Sequence, residues 1–248
     1  MYATHPLLVE PSDDAVLWRY MDLAKLLALL DSRTLHLANL SVFDDPFEGH
    51  PPRKVVEAFT AIPPGLDEAA SAERKRNAET NLRFFSSSRN NVCASCWHMN
   101  HVEDAGMWAQ YLKTGEGIAV RTTFGALKRA LSQSPAELDI SGGVVQYVDY
   151  ETFEPAVINI IAWGALKRVG FDHEREFRLL CLAPAKGVQV PVLLDDLIQT
   201  IYVAPDLPVW FHALVTRVAA KYGVTAPVER SALLDDPNYI LPAAARGA

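Results

Sequence analysis

Two hydrophobic periods run along this chain, and they do not alternate one for one. Val16-Leu-Trp-Arg-Tyr20 reads as a short strand. Asp22 then stands as an N-cap, with Leu23, Leu26, Leu27 and Leu30 on one helical face. Thr34 to Ala38 reads as a second strand running into the turn-rich Val42-Phe-Asp-Asp-Pro-Phe-Glu-Gly49. The spacing next predicts an exposed helix over Asp67 to Phe85, between Pro63-Pro-Gly65 and Ser86-Ser-Ser-Arg-Asn-Asn91, as the most mobile part of the molecule. Beyond it come a strand at Val92 to Trp97, a helix near Val102 to Lys113, a strand at Gly117 to Thr122 and a helix at Phe124 to Leu131. A strand at Gly143 to Asp149 follows, and Pro155 is placed to open a helix reaching Val169. Strands are expected at about 174–182, 187–191 and 199–204, then a helix from Pro208 to just before Gly223, and a last strand over Pro227 to Ser231.

Several strands of the second half are separated only by short turns. That pattern predicts an α+β fold with a mixed, mainly antiparallel sheet and packed helices, rather than a doubly wound parallel one. No strand-GxGxxG-helix or GxxxxGK[ST] unit occurs, which argues against the familiar dinucleotide and P-loop sites. One domain over 1–248 is expected, with 63–91 as a helical and loop insertion.

Composition narrows the function classes. A net charge of −7 argues against a general polyanion-binding surface, though a local basic patch survives it. The strongest apolar run, Val157 to Leu166, is broken by Asn159 and is about half of what a membrane span needs. The start, MYATHPLLVEPSDD, lacks a charged stretch leading into an apolar one, so no secretory signal is expected. Three cysteines, an odd count, fit reduced thiols in the cytoplasm. Cys93 and Cys96, three apart on a strand, point to opposite faces and lack a second ligand pair. They are expected to be small core residues, and no metal is expected there.

Candidate chemistry concentrates in Phe171-Asp-His-Glu-Arg-Glu-Phe-Arg-Leu-Leu180. If the segment is extended, Glu174, Glu176 and Arg178 share one side and His173, Arg175, Phe177, Leu179 and Cys181 the other. Two readings stand: a solvent-facing edge with cross-strand ion pairs, or a cleft in which Arg178 keeps one carboxylate ionised. In the earlier turn, backbone geometry alone accounts for Asp44, Asp45 and Pro46. Glu48, a charge between Phe47 and Gly49, calls for a partner. Met107, Trp108, Tyr111 and Leu112 form a helical stripe that reads either as core or as the wall of a pocket. Arg19, Glu48, Glu176 and Arg178 each interrupt apolar sequence and are expected to meet around one pocket. Arg19 and Glu176 on opposite sides of the sheet would end that site hypothesis as a whole.

Four segments in order, Leu17-Trp-Arg-Tyr20, Phe43-Asp-Asp-Pro-Phe-Glu-Gly49, Met107-Trp-Ala-Gln-Tyr111 to Gly117, and His173-Glu-Arg-Glu-Phe-Arg178, resemble a bacterial family catalogued as domain of unknown function 2971. The resemblance runs from about residue 16 to 205, skips 63 to 91 and carries no activity with it. More distantly, an early strand bearing a basic residue and a late Glu-x-Glu strand resemble ADP-ribosyltransferases. So does the continuation through Val188-Gln-Val-Pro-Val192 to Ile201-Tyr-Val-Ala204. Their Ser-Thr-Ser strand has no counterpart here beyond the loop holding Ser41.

That second resemblance implies NAD as cofactor, Glu176 as the catalytic carboxylate and Glu174 as the group orienting an acceptor. It implies Arg19 on a phosphate or ribose, Trp108 or Tyr111 stacked on nicotinamide, and Tyr20, Glu48 and Arg178 around the cofactor. A protein or nucleic-acid acceptor and a role in stress or phage defence would follow, with no membrane partner. A carboxylate beside the nicotinamide–ribose bond stabilises an oxocarbenium-like centre, so Glu176→Gln is expected to spare the fold and NAD affinity and to lower turnover by orders of magnitude. A non-catalytic ligand- or partner-binding protein remains the alternative. So does a metal-dependent nuclease built on Asp44, Asp45, Glu48, Glu174 and Glu176.

Overall fold

The computed structural model describes residues 2–111, 115–133 and 138–237. The chain opens with β1 (Val16–Asp22), whose last residue caps α1 (Leu23–Ser32) by accepting from the Lys25 amide. Leu26, Leu29 and Leu30 are the buried residues of that helix, so Leu29 stands on the core face where Leu27 was expected. β2 (Thr34–Asn39) follows, and then a helical pair, α2 (Arg53–Thr60) and α3 (Glu68–Ser87). α2 was not anticipated, although its eight residues are amphipathic; it is short and buries only Val55. β3 (Val92–Met99), α4 (Ala105–Tyr111), β4 (Gly117–Thr123) and α5 (Phe124–Ala130) match the expected order. The end of the helix predicted to Lys113 lies outside the described residues.

The next stretch departs from the sequence reading. The single strand expected at 143–149 is two, β5 (Ser141–Val144) and β6 (Gln146–Val148). The long helix from Pro155 is only α6 (Ile160–Gly164), because the Asn159 side chain accepts from the Ile161 and Ala162 amides and starts the helix there. The chain then turns into β7 (Leu166–Arg168), which pairs in parallel with β6 as a small separate sheet. Residues Val169–Glu174 form a 3-10 turn, so the acidic segment is not extended throughout. Arg175 closes the turn in the left-handed region at φ 42°, and β8 (Glu176–Leu182) begins just after it. β9 (Gly187–Pro191), α7 (Leu194–Leu197), β10 (Thr200–Val203), α8 (Val209–Lys221) and β11 (Val228–Arg230) complete the chain.

Nine strands form one sheet that is antiparallel except for β10 beside β11, the mixed and mainly antiparallel α+β architecture that the pattern predicts. One face is covered by α1, α5, α7 and α8, whose Leu26, Leu127, Leu197 and Val215 join Leu17, Leu35, Trp97, Phe177 and Leu179 in the main core. The other face has a divided cover. α4 packs Met107 and Trp108 on Trp18 and Tyr20, while α6 packs Ile161 on Val92, Ala94 and Leu180. The α2–α3 pair meets β6 and α6 through Val55, Phe85, Val148 and Trp163. No helix among the described residues is long and apolar enough to cross a membrane.

Candidate functional site

The sheet forks at β3. One edge of this strand is paired along its length with β8, from Val92 opposite Leu182 to His98 opposite Glu176. Its other edge is shared by two strands. β2 holds only Ala94 and Cys93, and β1 holds only His98 and Met99, so both leave the edge between those points. A cleft of about 770 Å³ opens there, lined by residues from both parting strands, by Ala94 to His98, and by Glu48, Lys167, Glu174 and Glu176. That volume falls within the range of sites that enclose cofactors.

Five charged side chains form a buried network on one side of the cleft. Arg178 is fully buried. Its Nε donates to Glu176 Oε2 at 2.6 Å, Nη2 to Glu48 Oε2 at 2.5 Å and Nη1 to the Gly164 carbonyl at the end of α6 at 2.9 Å. Lys167 Nζ lies 2.6 Å from Glu176 Oε1, 2.5 Å from Glu174 Oε2 and 3.5 Å from Glu48 Oε1. The Glu176 amide donates to the Tyr147 hydroxyl, fixing the start of the strand. Phe43 covers the Arg178 guanidinium and Phe171 the Lys167 ammonium, at 5.6 and 4.9 Å.

These groups titrate apart. Burial alone would raise Glu176, but the Arg178 charge, a hydrogen bond from Glu174 and the Lys167 charge hold its carboxyl well below the usual range. Burial and the neighbouring Glu176 push Glu174 up to about 7, against the pull of Lys167. Lys167 and Arg178 are both raised despite burial, chiefly by the Glu176 charge, and stay cationic.

Glu48 reaches the network because its loop is strapped from behind. Arg89, in the turn after α3, donates to the carbonyls of Leu40, Phe43 and Pro46, and Ser88 Oγ donates to the Gly49 carbonyl. Gly49 sits at φ 78° with an added Cβ only 2.9 Å from Arg89 Cβ, which explains glycine there. Asp45 accepts from the Phe47 amide, as the turn predicts, and also pairs with Arg168 at 2.9 Å.

The other expected site residues are placed differently. Cα partners across the ladders put Trp18, His98 and Glu176 on one side of the sheet and Trp97 with Phe177 on the other. Arg19 goes with the second set. Its Nη1 donates to Ser95 Oγ at 2.7 Å, its Nη2 to the His36 carbonyl, and its guanidinium lies 5.6 Å from the Trp97 ring. Arg19 and Glu176 therefore do not share a face, and the four-residue site expected from sequence does not form: Glu48, Glu176 and Arg178 meet without Arg19, which borders the cleft only because the sheet is open at the fork. Tyr20 lines the cleft while its hydroxyl accepts from the Asp104 amide. Trp108 is 1% exposed, donates to Glu103 and packs edge-on against Tyr20. It is core, not a platform for a ligand, and Met107 and Gln110 of the same helix line the cleft instead. The Tyr111 side chain lies outside the described residues.

Lys167 and His98 carried no sequence signal of this site. Lys167 sits in a three-residue strand inside what reads as one long helix. His98 lies directly opposite Glu176, donates from Nδ1 to the Glu174 carbonyl at 2.7 Å, and places Nε2 3.7 Å from Asp104. Cys93 stands across from Cys181 in the core and Cys96 across from Arg178, so Cys93 and Cys96 point in opposite directions as expected, but Cys96 lines the cleft and is not the core residue the sequence predicts. Among the described residues no group of three or more His, Cys, Asp or Glu side chains is arranged to hold a metal. Glu48, Glu174 and Glu176 turn their oxygens to Lys167 and Arg178 instead.

No protein-family model matches the chain, and no curated protein sequence matches it. Among solved structures it is similar to Thermus sp. 2.9 DarT in complex with NAD+, at 8% identity and TM-score 0.41, over 90% of this chain and 98% of that one. The same protein in complex with carba-NAD+ aligns at 10% identity and TM-score 0.40, over 89% and 97%. In complex with ADP-ribosylated ssDNA it aligns at 9% identity and TM-score 0.41, over 93% and 98%.

Proposed function

We propose that the cleft binds NAD and that the chain transfers or hydrolyses its ADP-ribosyl group, with Glu176 beside the nicotinamide–ribose bond. The observation that carries this reading is an ionised carboxylate held rigidly in the wall of a cleft of cofactor size. The resemblance of its Glu-x-Glu segment to that of ADP-ribosyltransferases supports the choice of ligand. The glycosidic C–N bond breaks, nicotinamide leaves with the electron pair, and the ribose carbon gains positive character that Glu176 opposes. Water or an acceptor hydroxyl, amine or base then bonds to that carbon and gives up its proton. Glu174, which exchanges a proton near neutrality, is placed to take it. Such chemistry suits a bacterial stress or phage-defence effector acting in the cytoplasm on a protein or nucleic-acid acceptor.

One observation favours a second reading. Both Glu176 oxygens are already engaged by Lys167 and Arg178, as they would be in a non-catalytic ligand-binding protein that uses the network for support. Nicotinamide release separates the two readings. Wild type, with candidate protein and nucleic-acid acceptors, should release nicotinamide, and Glu176→Gln should lower turnover by orders of magnitude while NAD still raises the melting temperature. No release together with no NAD-dependent melt shift would sink the transferase reading. Release undiminished in Glu176→Gln would remove that residue from the chemistry.

A further inference from the structure

We propose that Lys167 is the positioning residue of the cleft carboxylates, bridging Glu174 and Glu176 so that one side chain fixes both and decides which faces a ligand as an anion. The inference deepens the NAD reading, but its central measurement does not depend on that reading.

The geometry is asymmetric. Arg178 grips Glu176 and Glu48 but makes no hydrogen bond to Glu174. Lys167 is the cation that joins Glu174 to the network, at 2.5 Å, beside the hydrogen bond between the Glu174 and Glu176 carboxyls, and it also holds the Glu176 oxygen that Arg178 leaves. Three carboxylates face two cations here, so one negative charge is formally in excess. Lys167 is the cation placed between Glu174 and Glu176, two of the carboxylates that line the cleft. Its other charged or titratable surroundings are Glu48 at 3.5 Å, the Arg178 guanidinium, the Cys96 thiol, Tyr147 near the Glu176 amide and Arg168 next in the chain. None of these replaces it, since Arg168 is paired with Asp45 and Tyr147 takes the Glu176 backbone. Because β7 pairs with β6 and not with the main sheet, the Lys167 backbone reaches the site from a separate element. It acts as a clamp from above on Glu176, whose strand is anchored below, and on Glu174 at the end of the turn that joins β7 to that strand.

In wild-type protein, side-chain nitrogen NMR of Lys167 and carboxyl-carbon NMR of Glu174 and Glu176 should show a common titration step while Lys167 stays charged. A Lys167 signal blind to that step would overturn the proposal without any substitution. Lys167→Met should raise the midpoint of the Glu174 step by at least one pH unit and move any pH–kcat profile with it. Lys167→Arg should restore the wild-type midpoint to within half a unit. An unchanged Glu174 midpoint in Lys167→Met also overturns the proposal. If Lys167→Met does not fold, the wild-type coupling decides alone. Absence of NAD binding with the common step intact would strike the NAD reading and leave the role of Lys167 standing.

Discussion

At the scale of single residues, the buried network changes what substitutions in it should do. Glu176→Gln was expected from sequence to spare the fold, but the glutamine would leave Lys167 and Arg178 facing one carboxylate fewer inside the protein. Removing one partner of a buried ion pair typically costs about 3–5 kcal/mol. The variant should therefore melt markedly lower than wild type, and activity should be compared below its own transition. A melt unchanged within error would mean that the network relaxes freely. Glu174 carries the opposite lesson. Its folded pKa, raised from an ordinary 4.5 to about 7, means that the folded state binds the proton more tightly than the unfolded chain. Its contribution to stability is then most favourable below about 4.5 and is lost as pH rises through about 7. Glu176, held low, contributes above the ordinary carboxylate range and loses that contribution only as pH falls through its depressed folded value. Chemical denaturation across the window from about 4.5 to 7 should show a downward slope with pH that flattens in Glu174→Gln. Equal slopes in the two proteins would contradict this assignment.

At the scale of elements, strands and capped helices were legible because burial and capping leave local marks. Asp22 before α1 and the apolar alternation of β1 and β8 are examples. The stretch from Pro155 to Arg175 was not legible. Its apolar run fits a helix, but Asn159 caps it late, and tertiary demand pulls Leu166–Arg168 out to pair with β6. Glu176 and Arg178 were correctly read onto one face of a strand. Glu174 joins them from a 3-10 turn, through Lys167 and a hydrogen bond to Glu176, by a route that no period of two describes. The β5–β8 pairing also places a strict demand on its glycine. A Cβ on Gly142 would come within 2.5 Å of Phe177 Cζ, in the wall of the main core. Gly142→Ala should cost about 1–3 kcal/mol through overpacking. A urea midpoint at or above wild type would show that Phe177 has room to retreat.

Taken as a whole, the molecule puts its site where two strands compete for one edge. No local pattern announces that competition, because it depends on β1 and β2 meeting β3 at different points. Arg19 was singled out from sequence for the right reason, a charge in an apolar strand, yet its side chain works on the far side of that edge, tying β1 to Ser95 and to the His36 carbonyl. The divided helical cover between α4 and α6 was equally invisible, since α4 reads alone as an ordinary amphipathic helix and α6 is hidden in the longer helix that the run after Pro155 suggests.

The seven-pair ladder between β3 and β8 has a consequence for how a ligand would be received. Glu176, Arg178, Cys96 and His98 all stand on it, so the floor of the site is tied to backbone paired along its whole length. Glu48 and Phe43, by contrast, stand on a loop held by side chains, while Arg19 stands on a strand that has left β3 but is paired along its length with β4. The site thus has a stiff floor and an adjustable rim, and reorganisation on binding should be confined to the rim. Hydrogen exchange tests this with NAD as the probe. Amides of β3 and β8 should be among the slowest in the protein and change little, while those of Phe43 to Gly49 should gain protection. A larger response in β8 than in that loop would mean that the floor itself is remade by the ligand, and that the charges are assembled on arrival instead of waiting for it.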